Sequence, residues 1–295
     1  MSAVAVPRIA APARSSRKRR GRFSPTQGAL YAVLAIIAVV YISPFLIQVV
    51  TSVKTEPDAA TNPMSMIPNP VSFAALNKLL LNSDFPHWFL ISAVVSVCVM
   101  LGRVLFDSAA GYALARLHFR GRNLVFGALI GIMAVPGVAL LIPRFLVLRQ
   151  VGLYDTLPGI ILPFFADAAG VFIMKNFFEG IPVAVEESAR VDGANIFRTY
   201  WSVVLPMARP ALVTILIMSF QGSWNELQQF IVSAQRPELI NLTKGVALLI
   251  SGQLGQGTQY PLKLAAATLM TIPVAIIFFI FQKRIMNNAT GAVKE

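Results

Sequence analysis

A single cysteine, Cys98, stands in a chain of 295 residues. One thiol closes no intrachain disulfide and supplies no paired-cysteine metal or redox centre. Histidine is almost as scarce. His87 and His118 are the two present, and neither is paired in sequence with a cysteine or carboxylate, which argues against a zinc site. Both read as interfacial polar residues at helix ends. Charge is thin: 13% of residues are Asp, Glu, Lys or Arg, and 13 acidic residues face 25 basic ones. No Gly-x-x-x-x-Gly-Lys-Ser/Thr phosphate loop occurs, so the chain is not expected to hydrolyse ATP. No nucleophile–base constellation is found either, and no catalytic residue, metal or cofactor is expected. Two matching halves are also missing, which counts against a self-contained inverted-repeat transporter. The chain reads as one half of something.

What is abundant is apolar sequence. The hydrophobic fraction is 56% and the mean hydropathy +0.68, far from the soluble-globular norm. Six apolar stretches reach the roughly 20 residues needed to cross a bilayer core: Gly28–Val50, Trp88–Phe106, Leu124–Leu148, Leu157–Phe178, Met207–Ser223 and Leu262–Phe281. The competing reading is six buried helices of a soluble protein, but too little polar sequence remains to cover them. The expected fold is all-α, a polytopic membrane protein with six transmembrane helices.

The net charge of +12 could suggest nucleic acid; its placement argues otherwise. Arg8, Arg14, Arg17, Lys18, Arg19, Arg20 and Arg22 directly precede the first span, where they hold the amino terminus in the cytoplasm. With alternating spans, Arg116, Arg120, Arg122, Lys175, Arg190, Arg198, Arg209, Lys283, Arg284 and Lys294 join them, giving 17 basic residues inside. Lys54, Lys78, Arg144, Arg149, Arg236, Lys244 and Lys263 make seven outside. Both termini are therefore expected in the cytoplasm, with the tail also touching anionic lipid. Residues 1–22 read as a disordered basic tail and 23–295 as one six-helix domain. Arg19-Arg20-Gly21-Arg22-Phe23 loosely resembles a twin-arginine export signal, but the apolar run after it is too long and lacks a cleavage site, so the first span is retained.

The loop Thr51–His87 contains Pro57, Pro63, Pro68 and Pro70 and reads as an extended cap with short helical pieces, Asn77–Leu81 lying along the interface. Pro136, Pro143, Pro158 and Pro163 should bend or break spans three and four where neighbours shield the freed carbonyls. Gly127 and Gly131 have a spacing that lets helices pack closely.

Between the fourth and fifth spans, at about 180–206, lies a polar insert that reads as helix, turn, helix. Pro182 suits a first helical turn. Glu186 and Arg190 are four apart, acid before base, as in a helix-surface pair. Asp192-Gly193 breaks the helix, since glycine tolerates a left-handed reversal. Asn195 caps a second helix over Ile196–Val203, and Leu205-Pro206 ends it. The result is a cytoplasmic coupling-helix hairpin.

These residues resemble the "EAA" loop of the integral membrane permeases of binding-protein-dependent ATP-binding-cassette importers. That pattern asks for Glu-Ala-Ala, three residues, Gly, nine residues, Ile, one residue, Leu-Pro. Here Glu187-Ser188-Ala189, Gly193 and Val203-Val204-Leu205-Pro206 stand at those spacings, with Ser188 and Val203 as departures. Ala109-Ala110-Gly111-Tyr112-Ala113-Leu114-Ala115-Arg116-Leu117 with Phe119-Arg120-Gly121-Arg122, then Trp224-Asn225-Glu226, then Gly291-Ala292-Val293-Lys294 resemble further segments of the carbohydrate permeases. The likeness is to the smaller, maltose-permease-like subunit, from roughly Gly28 onward. Leu227-Gln228-Gln229-Phe230 departs from the family's Phe-Leu-Trp-Pro.

The resemblance implies an inner-membrane permease subunit of a bacterial sugar importer. Its partners would be a second homologous permease, two copies of a cytoplasmic ATPase that binds the ATP, and an extracytoplasmic solute-binding protein. Glu187, Ser188, Ala189, Asp192, Gly193, Leu205 and Pro206 would form the ATPase-coupling loop. The other reading of the loop is a solvated helix whose charges only keep it out of lipid. Arg103 and Asp107, four apart in span two, read as a self-satisfying pair or as a functional intramembrane site. Asp167 would line the pathway or bond another subunit. Gln221, Ser223, Trp224 and Asn225 combine an aromatic face with amide and hydroxyl groups, the chemistry of sugar binding. An interfacial tryptophan belt with capping polar residues is the alternative. A rival function is a channel or ion-coupled secondary transporter working without ATP, for which Asp107 and Asp167 are the candidate ion ligands.

Overall fold

The structure is a computed structural model that describes residues 25–252 and 259–291, with side chains for 28–252 and 259–282. The expectations for the tail 1–22, for the side chains of Lys283 and Arg284, and for the ending at 292–294 lie outside the described residues. Helix is the regular structure throughout, with no strand among the described residues. In chain order the helices are α1 (Pro25–Thr51), α2 (Glu56–Thr61), α3 (Ala74–Leu81), α4 (Phe85–Arg116), α5 (Arg122–Met133), α6 (Leu141–Gln150), α7 (Leu157–Ile161), α8 (Ala168–Glu179), α9 (Val183–Val191), α10 (Ile196–Thr199), α11 (Leu205–Met207), α12 (Arg209–Trp224), α13 (Gln228–Ser233), α14 (Leu242–Ser251) and α15 (Tyr260–Gly291).

Among the described residues four helices are long and apolar enough to cross a membrane, and the number rises to six when each of two bent helix pairs is taken as one span. The first bent pair, α5 with the segment Gly137–Gln150, turns by 106°. Pro136 lies in the break and cannot donate to the helix ladder, in line with the expected break in span three. Span four breaks after Pro163, and Asp167 restarts it by accepting from the Gly170 amide at 3.3 Å.

The second bent pair, Ile196–Met207 with α12, turns by 79° and corrects one expectation. Leu205-Pro206 does not end the hairpin's second arm. The arm passes through a π-helical turn at Tyr200–Val204 into α11 and turns only at Ala208. Pro206 stands in the first turn of a new segment, where its missing N–H loses nothing. Pro182, likewise, precedes α9 as its cap rather than lying inside its first turn.

The chain divides inside α1, into a unit ending at Pro44 and a unit beginning at Phe45. The described part of the first unit is one helix with Leu30, Ile36, Val39 and Tyr41 all exposed, apolar all round as a lipid-facing helix is. The second unit is organised about α4, an unbroken helix of 32 residues.

Three buried clusters lie along α4. Phe85 and Trp88 pack with Leu79, Phe220, Trp224, Leu242 and Leu262. Val95 and Val99 pack with Ile160, Phe230 and Leu239. Tyr112 and Ala115 pack with Met174, Phe178, Tyr200, Val204 and Ile215. The segment Thr51–His87 forms α2 and α3 as short pieces, but α3 does more than skim an interface, because Leu79 is wholly buried in the first cluster. At Gly170 a Cβ would fall 2.0 Å from Asp107 Oδ2, so only glycine lets α8 approach α4 here.

Candidate functional site

The hairpin turns at Gly193, whose φ of +82° is the left-handed conformation that favours glycine. The Ala194 amide closes the turn on Ala189 O at 2.9 Å, and Asn195 caps the second arm by accepting from the Arg198 amide at 2.8 Å. The turn and the cap fall where the spacing predicts them.

Across the hairpin the two faces differ. Glu187, Ser188, Asp192 and Gly193 are exposed, and beside them Val191 is 88% and Phe197 77% exposed. Ala189 faces inward and is buried; Leu205 is half-buried and Pro206 exposed. The coupling-loop residues are thus split, with Glu187, Ser188, Asp192 and Gly193 on the outer side and Ala189 against the bundle.

Glu186 is the departure. Rather than pairing along the surface with Arg190, it is 2% exposed and turned toward α4. Its Oε1 lies 2.7 Å from Arg116 Nε, an ion contact not aligned as a hydrogen bond, and its Oε2 accepts from the Tyr112 hydroxyl at 3.1 Å. Arg116 also donates to Ile181 O, just before α9. On the hairpin's second arm, the Tyr200 hydroxyl and Ser108 Oγ are 2.6 Å apart, and the Tyr112 and Tyr200 rings lie 5.1 Å apart. Little is forgone on the surface, because an exposed Glu–Arg pair is worth about 0–1 kcal/mol. Nothing in the sequence around Glu186 names these partners. Ser108, Tyr112 and Arg116 are four apart on one helix stripe, which is the signal that reveals them.

A second polar cluster sits where span four breaks. Asp107, fully buried, accepts the Asp167 amide at 2.8 Å. Arg103 donates to Phe164 O at 3.0 Å and lies 3.9 Å from Asp167 Oδ2. Arg103 therefore pairs across helices with Asp167 rather than forming a close ion pair with Asp107 on its own helix. Asp167 caps α8 at the same time.

The four residues at the end of α12 do not share a surface. Trp224 is 1% exposed, stacked on Phe220 at 5.3 Å, with its indole N–H donating to Met270 O at 3.2 Å. It offers no ring face to a sugar. Ser223 is buried and donates to Ser219 O. Gln221 and Asn225 are exposed. His87 bonds Glu238 O at 2.9 Å, and no group of three His, Cys, Asp or Glu that could hold a metal occurs among the described residues.

Residues 107–288 match the family described as binding-protein-dependent transport system inner membrane component. The chain belongs to this family. As a member, it is a multi-pass membrane protein with the helical permease fold. It is 29% identical over 285 residues to the diacetylchitobiose uptake system permease protein NgcG of Streptomyces coelicolor, covering 96% of this chain and 92% of that protein. It is 32% identical over 247 residues to the trehalose transport system permease protein SugB of Mycobacterium tuberculosis, covering 82% of this chain and 89% of that one. A solved chain from a bacterial ABC transporter involved in the import of the acidic polysaccharide alginate superposes with a TM-score of 0.78 at 27% identity, covering 90% of this permease and 99% of that chain.

Proposed function

We propose that this permease is one of two homologous membrane subunits of an ATP-binding-cassette importer for a di- or oligosaccharide or a related sugar. It forms half of the pathway across the bacterial inner membrane, with both termini in the cytoplasm. Two copies of a cytoplasmic ATPase bind and hydrolyse the ATP, and an extracytoplasmic binding protein delivers the substrate. The relatives named for diacetylchitobiose and trehalose support the substrate class.

The observation that carries coupling is the two-faced hairpin. Its inner face is fastened to α4, while Glu187, Val191, Asp192 and Phe197 project from the other side. Apolar side chains that exposed, on a segment outside the spans, are best accounted for by a covering protein. Nucleotide-driven closure of the ATPases would then move the hairpin and favour one orientation of the helices over the other. Gln221, Asn225 and Asp167, with exposed or partly exposed side chains, are the better candidates for the pathway; Ser223 and Trp224 serve helix packing. An ion-coupled transporter needs carboxylates free to ligate the ion, whereas Asp107 is fully buried and Asp167 already faces Arg103 and caps α8 through the Gly170 amide.

Gly193→Val tests the docking. A β-branched residue is strained at φ +82°, so the turn should distort. The variant is expected to reach the membrane but to lose the co-purifying ATPase and sugar uptake. Normal co-purification and uptake would overturn the docking role.

A further inference from the structure

Both arms of the hairpin are tied to one stripe of α4. The first arm is held through Glu186 to Tyr112 and Arg116, the second through Tyr200 to Ser108. On a neighbouring face of the same helix, about 100° round from Ser108, Asp107 holds the amide of Asp167, and Arg103 holds the carbonyl of Phe164. Those two bonds grip both sides of the break in span four. From Arg103 to Arg116 these polar contacts, on two neighbouring faces, cover on the order of 20 Å of the helix at 1.5 Å per residue.

The chemistry of this stripe differs from the packing elsewhere on α4. Apolar contacts let helices slide by small shear steps. A hydrogen bond of about 3 Å is lost within a fraction of that travel and weakens steeply off line. The hairpin therefore cannot shift along α4 without breaking the contacts of its Glu186 and Tyr200 with Tyr112, Arg116 and Ser108; while they hold, it must carry α4 with it. α4 has no internal proline after its first turn and is unbroken, so it moves as a rod, whereas the third and fifth spans are bent pairs.

We propose that Glu186, Tyr112 and Tyr200 are positioning residues that turn displacement of the hairpin into displacement of α4, and that Asp107 and Arg103 pass it to the broken fourth span. This rests on the docking reading above. A buried ion pair is weak evidence for stability, since apolar packing of similar volume is often as good. Its value here is a fixed register between the hairpin and the rod.

The test uses the whole importer in liposomes, with this chain, its partner permease, the ATPase and the binding protein. ATP hydrolysis and sugar uptake are measured together for Glu186→Gln, Tyr112→Phe, Tyr200→Phe and the double Glu186→Gln/Tyr112→Phe. The ATPase should still co-purify, and ATP turnover should stay within about twofold, because the outer face of the hairpin is untouched. Sugar delivered per ATP should fall about tenfold for Glu186→Gln, which removes the negative charge that faces Arg116, and about threefold for each tyrosine variant. The double should be no worse than Glu186→Gln alone, the signature of residues acting as one unit.

Unchanged sugar per ATP in these variants would overturn the inference. So would loss of the ATPase from Glu186→Gln, because that residue would then merely shape the docking face. If Glu186→Gln fails to insert, Tyr112→Phe, which deletes one oxygen, decides by the same ratio. Failure of the docking reading is separate: it would appear as no ATPase co-purifying with the unaltered chain, and the inference falls with it.

Discussion

Toward Arg116, α4 meets its neighbours through oxygen and nitrogen, with Glu186, Tyr112, Tyr200 and Ser108 in contacts of 2.6–3.1 Å. Toward Phe85 it meets them through rings and methyl groups, with Trp88 and Phe85 packed on Trp224, Leu242 and Leu262. The contrast separates two jobs. Packing holds an end in place by shape and tolerates small repacking. Directional polar bonds fix a register, and their loss costs function more than it costs stability.

Four substitutions would sharpen or break that contrast, ordered by expected effect on the thermal stability of the detergent-solubilised complex. Trp224→Ala should be the most damaging, by about 3–5 kcal/mol, because it opens a large cavity. A loss below about 1 kcal/mol would mean that the Phe85 end is not held by packing. Gly245→Val, also at that end, should cost about 1–3 kcal/mol by overpacking, since its Cβ would fall 2.2 Å from the Trp88 ring. Glu186→Gln should lie near the same figure, about 1.5–3 kcal/mol. It should nevertheless lower uptake per ATP, which the two packing variants should leave unchanged in whatever fraction remains folded.

Asp155→Asn should have the smallest effect, below about 1 kcal/mol. Asp155 accepts the amides of Gln235 at 2.8 Å and Arg236 at 3.2 Å and pairs with the exposed Arg236 side chain. Slight burial pushes its carboxyl up, but the bonds from the Arg236 and Gln235 amides and then the guanidinium outweigh that and hold it below the usual carboxylate value. A depressed value stabilises the fold above the unfolded carboxylate range and is lost as pH falls through the folded value. The difference between wild type and Asp155→Asn should thus be flat from about pH 5 to 8 and shrink below about pH 4.

Much of the architecture is legible in the sequence because lipid demands long apolar runs. The break at Pro136 and the turn at Gly193 follow from backbone chemistry that no neighbour needs to supply. The facing of each span is harder to read. Core and lipid are equally apolar, so hydrophobicity cannot tell a buried side from an exposed one. Trp224 looks interfacial in sequence for that reason, though it is buried. The better guide is small residues at three- and four-residue spacing: Ser92 with Ser96, and Ser108 with Gly111 and Ala115, are all buried on α4. The two acid–base pairs within a helix turn, Glu186 with Arg190 and Arg103 with Asp107, mislead because local spacing offers a partner that the fold replaces. Arg116 is 70 positions from Glu186 in the chain, and its place on one stripe with Ser108 and Tyr112 marks a polar face without naming Glu186 as the partner.

At 1.5 Å per residue the 32 residues of α4 reach about 48 Å, against a hydrocarbon layer of about 30 Å. The helix is longer than the layer it crosses, and Arg116 is its last residue. A helix with such an overhang meets a thicker or thinner bilayer by changing tilt, so the Glu186–Arg116 contact need not be drawn into hydrocarbon. An overhang at the Arg116 end would buffer the hairpin's anchorage against the lipid composition of the membrane.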